Sequence, residues 1–172
     1  MRIYTLGHSN RTFKEFLEIL KAYKLRLVVD VRTVPKSLHN PQFSGDRFIK
    51  NLEKNGIEYV HMAGLGGFRH ALKKSPNKGW RNKSFQGYAD YMQSEDFEKN
   101  LKRLINRSKR KRLVIVCAEA VPWRCHRSLI ADALSLHGVT AEDIFSKTVH
   151  KPHKRTSFMR VKNGKPIYPH DP

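Results

Sequence analysis

The chain of 172 residues carries 34 Lys and Arg against 15 Asp and Glu, a formal net charge of +19. Hydrophobic residues make up 39% of it and aromatic residues 10%, which excludes a chain that is disordered throughout. One domain of this length buries roughly 70% of its unfolded surface, so folding requires neither a disulfide nor a metal. The charge predicts a polyanionic partner, nucleic acid or an acidic membrane surface, with a basic surface kept for solubility as the alternative.

Two features of the sequence indicate the compartment. The two cysteines, Cys117 and Cys125, are too few for the disulfide framework of a secreted protein. The first ten residues lack the basic start and long apolar run of a signal peptide, and no stretch approaches 18 apolar residues. The sequence therefore predicts a cytoplasmic protein with reduced thiols and no membrane partner, and it implies no protein partner.

In the first half of the chain, strands alternate with helices. The capping box formed by Thr12 and Glu15 begins one helix, and Ser44 or Asp46 caps a second helix that ends near Gly56. Apolar runs rich in β-branched residues predict strands, of which the second is buried on both faces. These strands lie at residues 2–6, 25–31 and 57–62.

The second half continues this alternation after a long basic loop. Residues 68–84 contain Pro76, Gly79 and several lysines, and loops of this length are usually functional or mobile. A Lys-Asn-Gly-Lys turn between two short extended segments, at residues 158–161 and 166–168, predicts a small hairpin. Helices are predicted at residues 85–92, 94–108 and 126–136, and strands at residues 112–117 and 141–145.

Strands that alternate with helices predict an α/β fold, with a mostly parallel four- to five-stranded sheet, helices on both faces and a small C-terminal hairpin. The sequence shows no internal repeat and no linker long enough to split it. We therefore assign residues 1–172 to a single domain, with a basic C-terminal extension from about residue 147. In such a sheet, ligands bind beyond the carboxyl ends of the strands.

Reactive residues follow the predicted strands at this edge. Because the topology brings the strand ends together, we expect these residues to form one site. Each has a structural alternative: the histidines as hydrogen-bonded core or rim residues, Asp30 and Arg32 as an ion pair, and Cys117 as a small core residue. The candidates are His8, Ser9, Asp30, Arg32, His61, Cys117, Glu119, Arg124, Cys125, His126 and Arg127.

Three chemistries fit the residues around Cys125. A thiol beside His126 and Arg127 at a helix N-terminus has a lowered pKa and can be a nucleophilic thiolate with a histidine as base. Cys117, Cys125 and His126 can instead hold a metal, although the spacing lacks a paired C-x-x-C; no other cofactor is predicted. Alternatively, the helix N-terminus with Arg124 and Arg127 binds a phosphate, which leaves the carboxylates as general acid or base.

Several short motifs along the chain resemble the domain of unknown function 488 (DUF488) family. The resemblance runs from about residue 1 to the final hairpin, and it implies a compact cytoplasmic α/β domain with an enzymatic role. It supplies a fold class and a site, but no reaction. The motifs are Gly7-His8-Ser9, Asp30-Val31-Arg32 with Pro35 and Ser37, Tyr59-x-His61 before Leu65-Gly66-Gly67, and Cys117-Ala-Glu119 with Cys125-His126-Arg127.

Basic residues concentrate in two stretches that contain no acid. Residues 62–89 hold six Lys or Arg with aromatic residues interleaved, and residues 147–165 hold seven more. Cations neutralise phosphates while rings stack on exposed bases, so both stretches predict binding of DNA or RNA. A third basic run at residues 107–112 has a solvated helix end as its alternative. The predicted contacts are Arg69, Lys73, Lys74, Trp80, Arg81, Lys83, Lys154 and Arg155.

Together these features predict an enzyme that acts on nucleic acid, at a base or nucleotide unit, in repair or processing. Asp30 and Glu119 share the acid–base work, as two carboxylates in different environments can. Arg32 and Arg127 hold phosphate or developing negative charge, and the strand-end histidines orient the substrate. Cys125 is either a nucleophile or a wall of the pocket.

Two other functions stay open. The first is a sulfurtransferase that carries sulfur on Cys117 or Cys125, because Asp30-x-Arg32 and the strand-Cys-loop-helix order are similar to rhodanese-type enzymes. The loop from Cys117 to Arg124 is one residue longer than in those enzymes. The second is a non-catalytic nucleic-acid-binding module whose strand-end residues are structural.

Overall fold

A central sheet covered by helices on both faces forms the fold of the computed structural model, which describes residues 1–170. None of its helices is long and apolar enough to cross a membrane. The helices are α1 (Phe13–Ala22), α2 (Gly45–Lys54), α3 (Lys83–Tyr91), α4 (Glu95–Arg110) and α5 (Arg127–Ser135). The strands are β1 (Arg2–Gly7), β2 (Leu27–Asp30), β3 (Glu58–His61), β4 (Leu113–Cys117), β5 (Thr140–Ile144), β6 (His150–Pro152), β7 (Arg160–Lys162) and β8 (Lys165–Ile167).

Six strands pair in the order β3-β2-β4-β1-β5-β6, and every neighbouring pair is parallel except β5 with β6. Strand β4 lies between β2 and β1, with Asp30 opposite Val116 and Gly7 opposite Cys117. Together with the antiparallel hairpin of β7 and β8, this confirms the predicted fold class. The carboxyl ends of the three central strands therefore meet at one edge.

The central strands are apolar because helices cover both faces of the sheet. Along β4, Leu113, Ile115 and Cys117 pack with α3, α4 and α5, whereas Val114 and Val116 pack with α1 and α2. Each large apolar side chain buried in this way contributes about 1.5–3 kcal/mol to stability. The alternation also brings the Cys117 thiol to the face on which α5 begins.

Helix starts follow local side-chain chemistry. At α1 the predicted capping box is present, with the Thr12 hydroxyl accepting from Glu15 N and the Glu15 carboxylate accepting from Thr12 N. Ser44 occupies the N-cap position of α2, but its hydroxyl bonds to the Ser37 backbone instead of capping the helix. Helix α3 begins two residues earlier than predicted, because the Asn82 side chain accepts two N–H groups of its first turn.

The C-terminal region adds a strand that was not predicted. β6 has three exposed residues, including Pro152, and so lacks the apolar signal of a strand. It pairs antiparallel with β5 and extends the sheet to six strands. In the predicted hairpin, Asn163 and Gly164 both have positive φ, at 53° and 75°, which suits a tight two-residue turn.

The long basic loop before α3 is anchored by one carboxylate. Asp90 of α3 accepts hydrogen bonds from Leu72 N at 2.8 Å, from Ser75 Oγ at 2.6 Å and from Asn77 Nδ2 at 2.8 Å. Ser75 and Asn77 are buried, so this loop is packed against the domain at its centre. Its lysines remain exposed around that anchor.

Candidate active site

The two thiols lie at the ends of one loop. Cys117 is the last residue of β4, and Cys125 directly precedes the first turn of α5. The loop between them passes over Gly7 so closely that a Cβ at this position would lie 1.6 Å from the Glu119 carbonyl oxygen. Only glycine fits there, which explains the Gly7-His8 start of the motif.

Arg127 connects this loop to the sheet. Its side chain is 0% exposed. Nε donates to Cys117 Sγ at 3.0 Å, Nη1 to Thr5 Oγ1 at 2.9 Å and Nη2 to the Glu119 carbonyl at 2.9 Å. Thr5 in turn donates to the buried carboxylate of Asp143 at 2.6 Å. The prediction had Arg127 on a phosphate, but its burial among these partners directs its charge at the thiols instead.

Cys125 is the more acidic of the two thiols. Its Sγ accepts the backbone N–H of Arg127 at 3.4 Å, in the first turn of α5, and lies 3.5 Å from His126 Nδ1. Burial raises the pKa of Cys125, but the hydrogen bond from Cys117 and the Arg127 charge outweigh it and lower the value to about 7. Burial and the same hydrogen bond raise the pKa of Cys117, so it stays a thiol.

His126 faces Cys125 with a defined nitrogen. Its Nε2–H donates to the Val31 carbonyl at 2.8 Å, which leaves Nδ1 toward the thiol. The ring packs on Gly67, where a Cβ would lie 2.7 Å from Nδ1. Burial lowers the pKa of His126, so its neutral ring is suited to take the Cys125 proton.

Asp30 and Arg32 form a buried pair beside the thiols. Asp30 is 0% exposed; Arg32 Nε and Nη2 donate to its carboxylate at 2.9 and 2.7 Å, and Tyr59 Oη donates at 2.6 Å. Arg32 Nη1 also lies 3.4 Å from His8 Nε2, while His8 Nδ1–H donates to the Ser9 carbonyl. Both Asp30 oxygens are thus occupied, and the structural ion pair considered from the sequence is the arrangement observed.

His8 makes the fold sensitive to acid. Burial lowers the pKa of His8 from about 6.5 to about 4. The unfolded chain therefore binds a proton that the native chain excludes between these values, so stability falls as pH falls through this window. We expect a loss of about 3 kcal/mol between pH 7 and pH 4, measured by urea unfolding, that His8→Asn largely removes. An identical pH dependence in both proteins would contradict this assignment.

Three adjoining cavities open around this edge. The thiol cavity, of about 340 Å³, is lined by Arg32, Lys36, Glu119, Arg124, Cys125 and His126. The middle cavity, of about 680 Å³, shares Phe85, Glu119 and Arg124 with it and adds Trp80, Arg81 and Trp123. The distal cavity, of about 610 Å³, shares Trp80 and Trp123 and adds Asp143, Lys151, His153 and Lys154.

Some of the predicted site residues line these cavities, and others do not. Glu119 is exposed and borders two cavities, so it is the predicted carboxylate that a substrate can reach. His61 is on edge strand β3 and bonds the Arg32 carbonyl at 2.8 Å, and Ser9 follows β1; neither lines the thiol cavity.

Some of the predicted nucleic-acid contacts line the cavities, and others lie outside them. Trp80 and Arg81 line the middle cavity and Lys154 the distal cavity, whereas Lys73, Lys74 and Lys83 are exposed outside all three. Two arginines have structural partners: Arg69 stacks on the Tyr91 ring at 3.6 Å, and Arg155 Nε donates to Ser135 Oγ at 2.8 Å.

Sequence reasoning missed the groups that support the site from a distance. Tyr59 contacts Asp30, Thr5 contacts Arg127 and Asp143 contacts Thr5 only after the strands have paired. For Asp143 a signal was present, because a buried β5 sequence that contains two acids requires partners. Within residues 1–170, no group of three His, Cys, Asp or Glu side chains is arranged to hold a metal ion, including the proposed set of Cys117, Cys125 and His126.

Comparison with known proteins gives one match. The profile of a family described as domain of unknown function DUF488 matches residues 12–134, well over half of the chain. This segment runs from α1 into α5 and includes both thiols, Asp30 and Arg127; it is shorter than the predicted resemblance, because it excludes β1 with the Gly7-His8-Ser9 motif, β5, β6 and the hairpin. No curated protein and no solved structure matches the chain.

Proposed function

We propose that this chain, which belongs to the DUF488 family, is a cysteine-dependent enzyme that acts on nucleic acid, with the Cys125 thiolate as its nucleophile. One observation carries this proposal: Cys125 Sγ lies in a cavity between the Arg127 N–H, at 3.4 Å, and the His126 ring, at 3.5 Å. A thiolate in this environment is stabilised, and Cys125, although only 4% exposed, lines the thiol cavity through which a substrate can approach it.

The chemical step uses groups that line the thiol cavity. The Cys125 thiolate donates its electron pair to an electrophilic carbon of a base, and an S–C bond forms while the π bond at that carbon breaks. The displaced electron pair moves to a ring heteroatom and takes up the proton that the Cys125 thiol released to His126 Nδ1, while Glu119 at the cavity rim can accept a hydrogen bond from the base. Arg32 and Arg124, on the same cavity, attract the phosphates that flank the base.

The composition of the cavities supports a nucleic-acid substrate. Arg81 and Arg124 alternate with Trp80, Phe85 and Trp123 around the middle cavity, and the distal cavity adds two lysines. Cations beside open aromatic faces suit a strand whose phosphates and bases both need partners. The formal net charge of +19 favours association with such a polyanion.

Alkylation by iodoacetamide tests the nucleophile. In the Cys117→Ala protein, we expect the rate of Cys125 modification to rise with pH through a midpoint that lies above 7, because the hydrogen bond from Cys117 is lost; in the wild-type protein the midpoint lies near 7. Cys125→Ser should abolish this fast phase. A wild-type midpoint above 9, where unperturbed thiols ionise, would overturn the assignment.

Incubation with DNA and RNA oligonucleotides of mixed sequence tests the substrate. Binding should weaken by roughly a thousandfold between 50 and 200 mM salt if six or more phosphates are contacted. Mass spectrometry should detect a covalent adduct that Cys125→Ser lacks and that Lys73→Ala, a basic site outside the cavities, retains. Binding without any adduct would support the non-catalytic module, and absence of binding would reject a nucleic-acid substrate.

Sulfur transfer is the second candidate, and the two neighbouring thiols favour it. The Cys125 thiolate would attack the outer sulfur of thiosulfate, so that a persulfide forms and sulfite leaves. The Arg32 and Arg124 guanidinium groups on the thiol cavity suit the anionic donor. A mass increase of one sulfur atom on Cys125 after thiosulfate treatment, together with release of sulfite, would favour this reaction over chemistry on a base.

A further inference from the structure

The distal cavity is lined by two polar side chains, His153 and Asp143, that the proposed chemistry does not use. His153 has 9% of its side chain exposed, and its Nε2–H donates to Asp132 Oδ1 at 2.7 Å. Asp132 is itself fully buried and also accepts Tyr168 Oη at 2.7 Å and Thr156 N at 3.0 Å. These bonds fix the orientation of the His153 ring from behind.

Asp143 and His153 do not hydrogen-bond to each other. Asp143 accepts from Thr5 through Oδ1 at 2.6 Å, and its Oδ2 lies 3.9 Å from His153 Nδ1, too far for a hydrogen bond between them. Neither Asp143 Oδ2 nor His153 Nδ1 has a hydrogen-bonding partner in the part of the chain that the structure describes. Both residues line the distal cavity of about 610 Å³.

Aromatic rings form the walls of this cavity. Trp80 is held between Phe85, Phe158 and Tyr168, with ring centroids 5.1, 4.8 and 5.3 Å away. Its indole Nε1 is the single buried side-chain polar atom in residues 1–170 that lacks a partner. Trp123, which lines the same cavity, is 63% exposed and offers an open face.

We propose that the distal cavity is a subsite for one unstacked base of a nucleic-acid strand that also reaches Cys125 across the middle cavity. The inference rests on the proposed function and names the part of the substrate that this region recognises. Asp143 Oδ2 and His153 Nδ1, whose ring gives its Nε2–H to Asp132, both accept hydrogen bonds, so they complement N–H groups on the edge of a base, while its face stacks on Trp123. Lys151 and Lys154 line the same cavity and suit the phosphates on either side of the base.

A coupling experiment tests this subsite. Single-stranded eight-nucleotide oligonucleotides that carry one abasic position at a time are titrated against the wild-type protein and Trp123→Ala. Because Trp123 is exposed, this variant should fold normally. We expect Trp123→Ala to weaken binding of the intact strand roughly ten- to a hundredfold. One abasic position should cause a similar loss, and the two changes together should cost little more than either alone.

Two controls separate failure of this inference from failure of the proposed function. Phe68→Ala removes another exposed ring, at the thiol cavity, and its effect should add to that of the same abasic position. Additive losses for Trp123→Ala at every position would overturn the subsite while leaving Cys125 and strand binding intact. Tight binding of free nucleoside monophosphates without any strand binding would also overturn it, because the ligand would then be a free nucleotide.

Discussion

Arg127→Met is expected to destabilise the protein by about 3–5 kcal/mol and to slow alkylation of Cys125 at pH 7. The guanidinium is fully buried, and three of its nitrogens donate to Cys117, Thr5 and the Glu119 carbonyl. Methionine fills similar space but removes the charge and leaves these acceptors unpaired. The pKa of Cys125, which Arg127 helps to lower, should therefore rise. Urea unfolding and the pH profile of alkylation measure the two effects.

Arg127→Lys is the matched control for this result. Lysine keeps the positive charge but lacks the planar fork that reaches three acceptors at once. We expect Arg127→Lys to retain part of the stabilisation of the Cys125 thiolate but to lose most of the folding stability that Arg127 contributes. If instead Arg127→Met left the alkylation profile unchanged, the charge on this side chain would have no part in activating the thiol.

Asp30→Asn is expected to cost about 3 kcal/mol in the free energy of unfolding, also measured in urea. Asp30 accepts from Arg32 Nε and Nη2 and from Tyr59 Oη, and its carboxylate is completely buried. An amide provides one acceptor oxygen in place of two and leaves the Arg32 guanidinium without its buried counter-charge. Because Arg32 lines the thiol cavity, the variant should also bind oligonucleotides more weakly.

Tyr59→Phe is the matched control for Asp30→Asn. It removes one hydrogen bond to Asp30 but leaves the pair with Arg32 intact, so a loss of about 1 kcal/mol is expected with little change in binding. Should Asp30→Asn unfold like the wild-type protein, bind normally and yet lose turnover, the carboxylate would be the acid or base that the sequence suggested.

The sequence predicted the sheet well because its signals are local. The near-continuous apolar runs around β2 and β4 and the Thr12 capping box each depend on residues close together in the chain. The topological rule for parallel sheets then placed Asp30, Cys117 and the Cys125 loop at one edge. β6 was not predicted because its three residues are exposed and show no apolar pattern; they form a strand only by pairing with β5.

Side-chain roles were harder to predict because they depend on burial. An arginine next to Cys125 in a very basic chain suggests a phosphate contact, and nothing near Arg127 in sequence reveals that Thr5 and the Glu119 carbonyl enclose it. The same holds for His153, whose hydrogen-bond partner Asp132 comes from α5 and whose neighbour Asp143 comes from β5. Such contacts between distant segments follow from the completed packing, which short motifs do not encode.

The support behind α5 has a consequence for the order of synthesis. Asp132 is held by Tyr168, which follows it by 36 residues in the chain. A ribosome therefore completes the helix that begins at Arg127 well before it adds the tyrosine that secures this helix from the other side. During that interval Cys117 and Cys125 are already present, but the helix that carries the stabilising arginine is only partly anchored. Reactivity of the thiol pair should therefore mature late in synthesis, after the C-terminal hairpin has emerged.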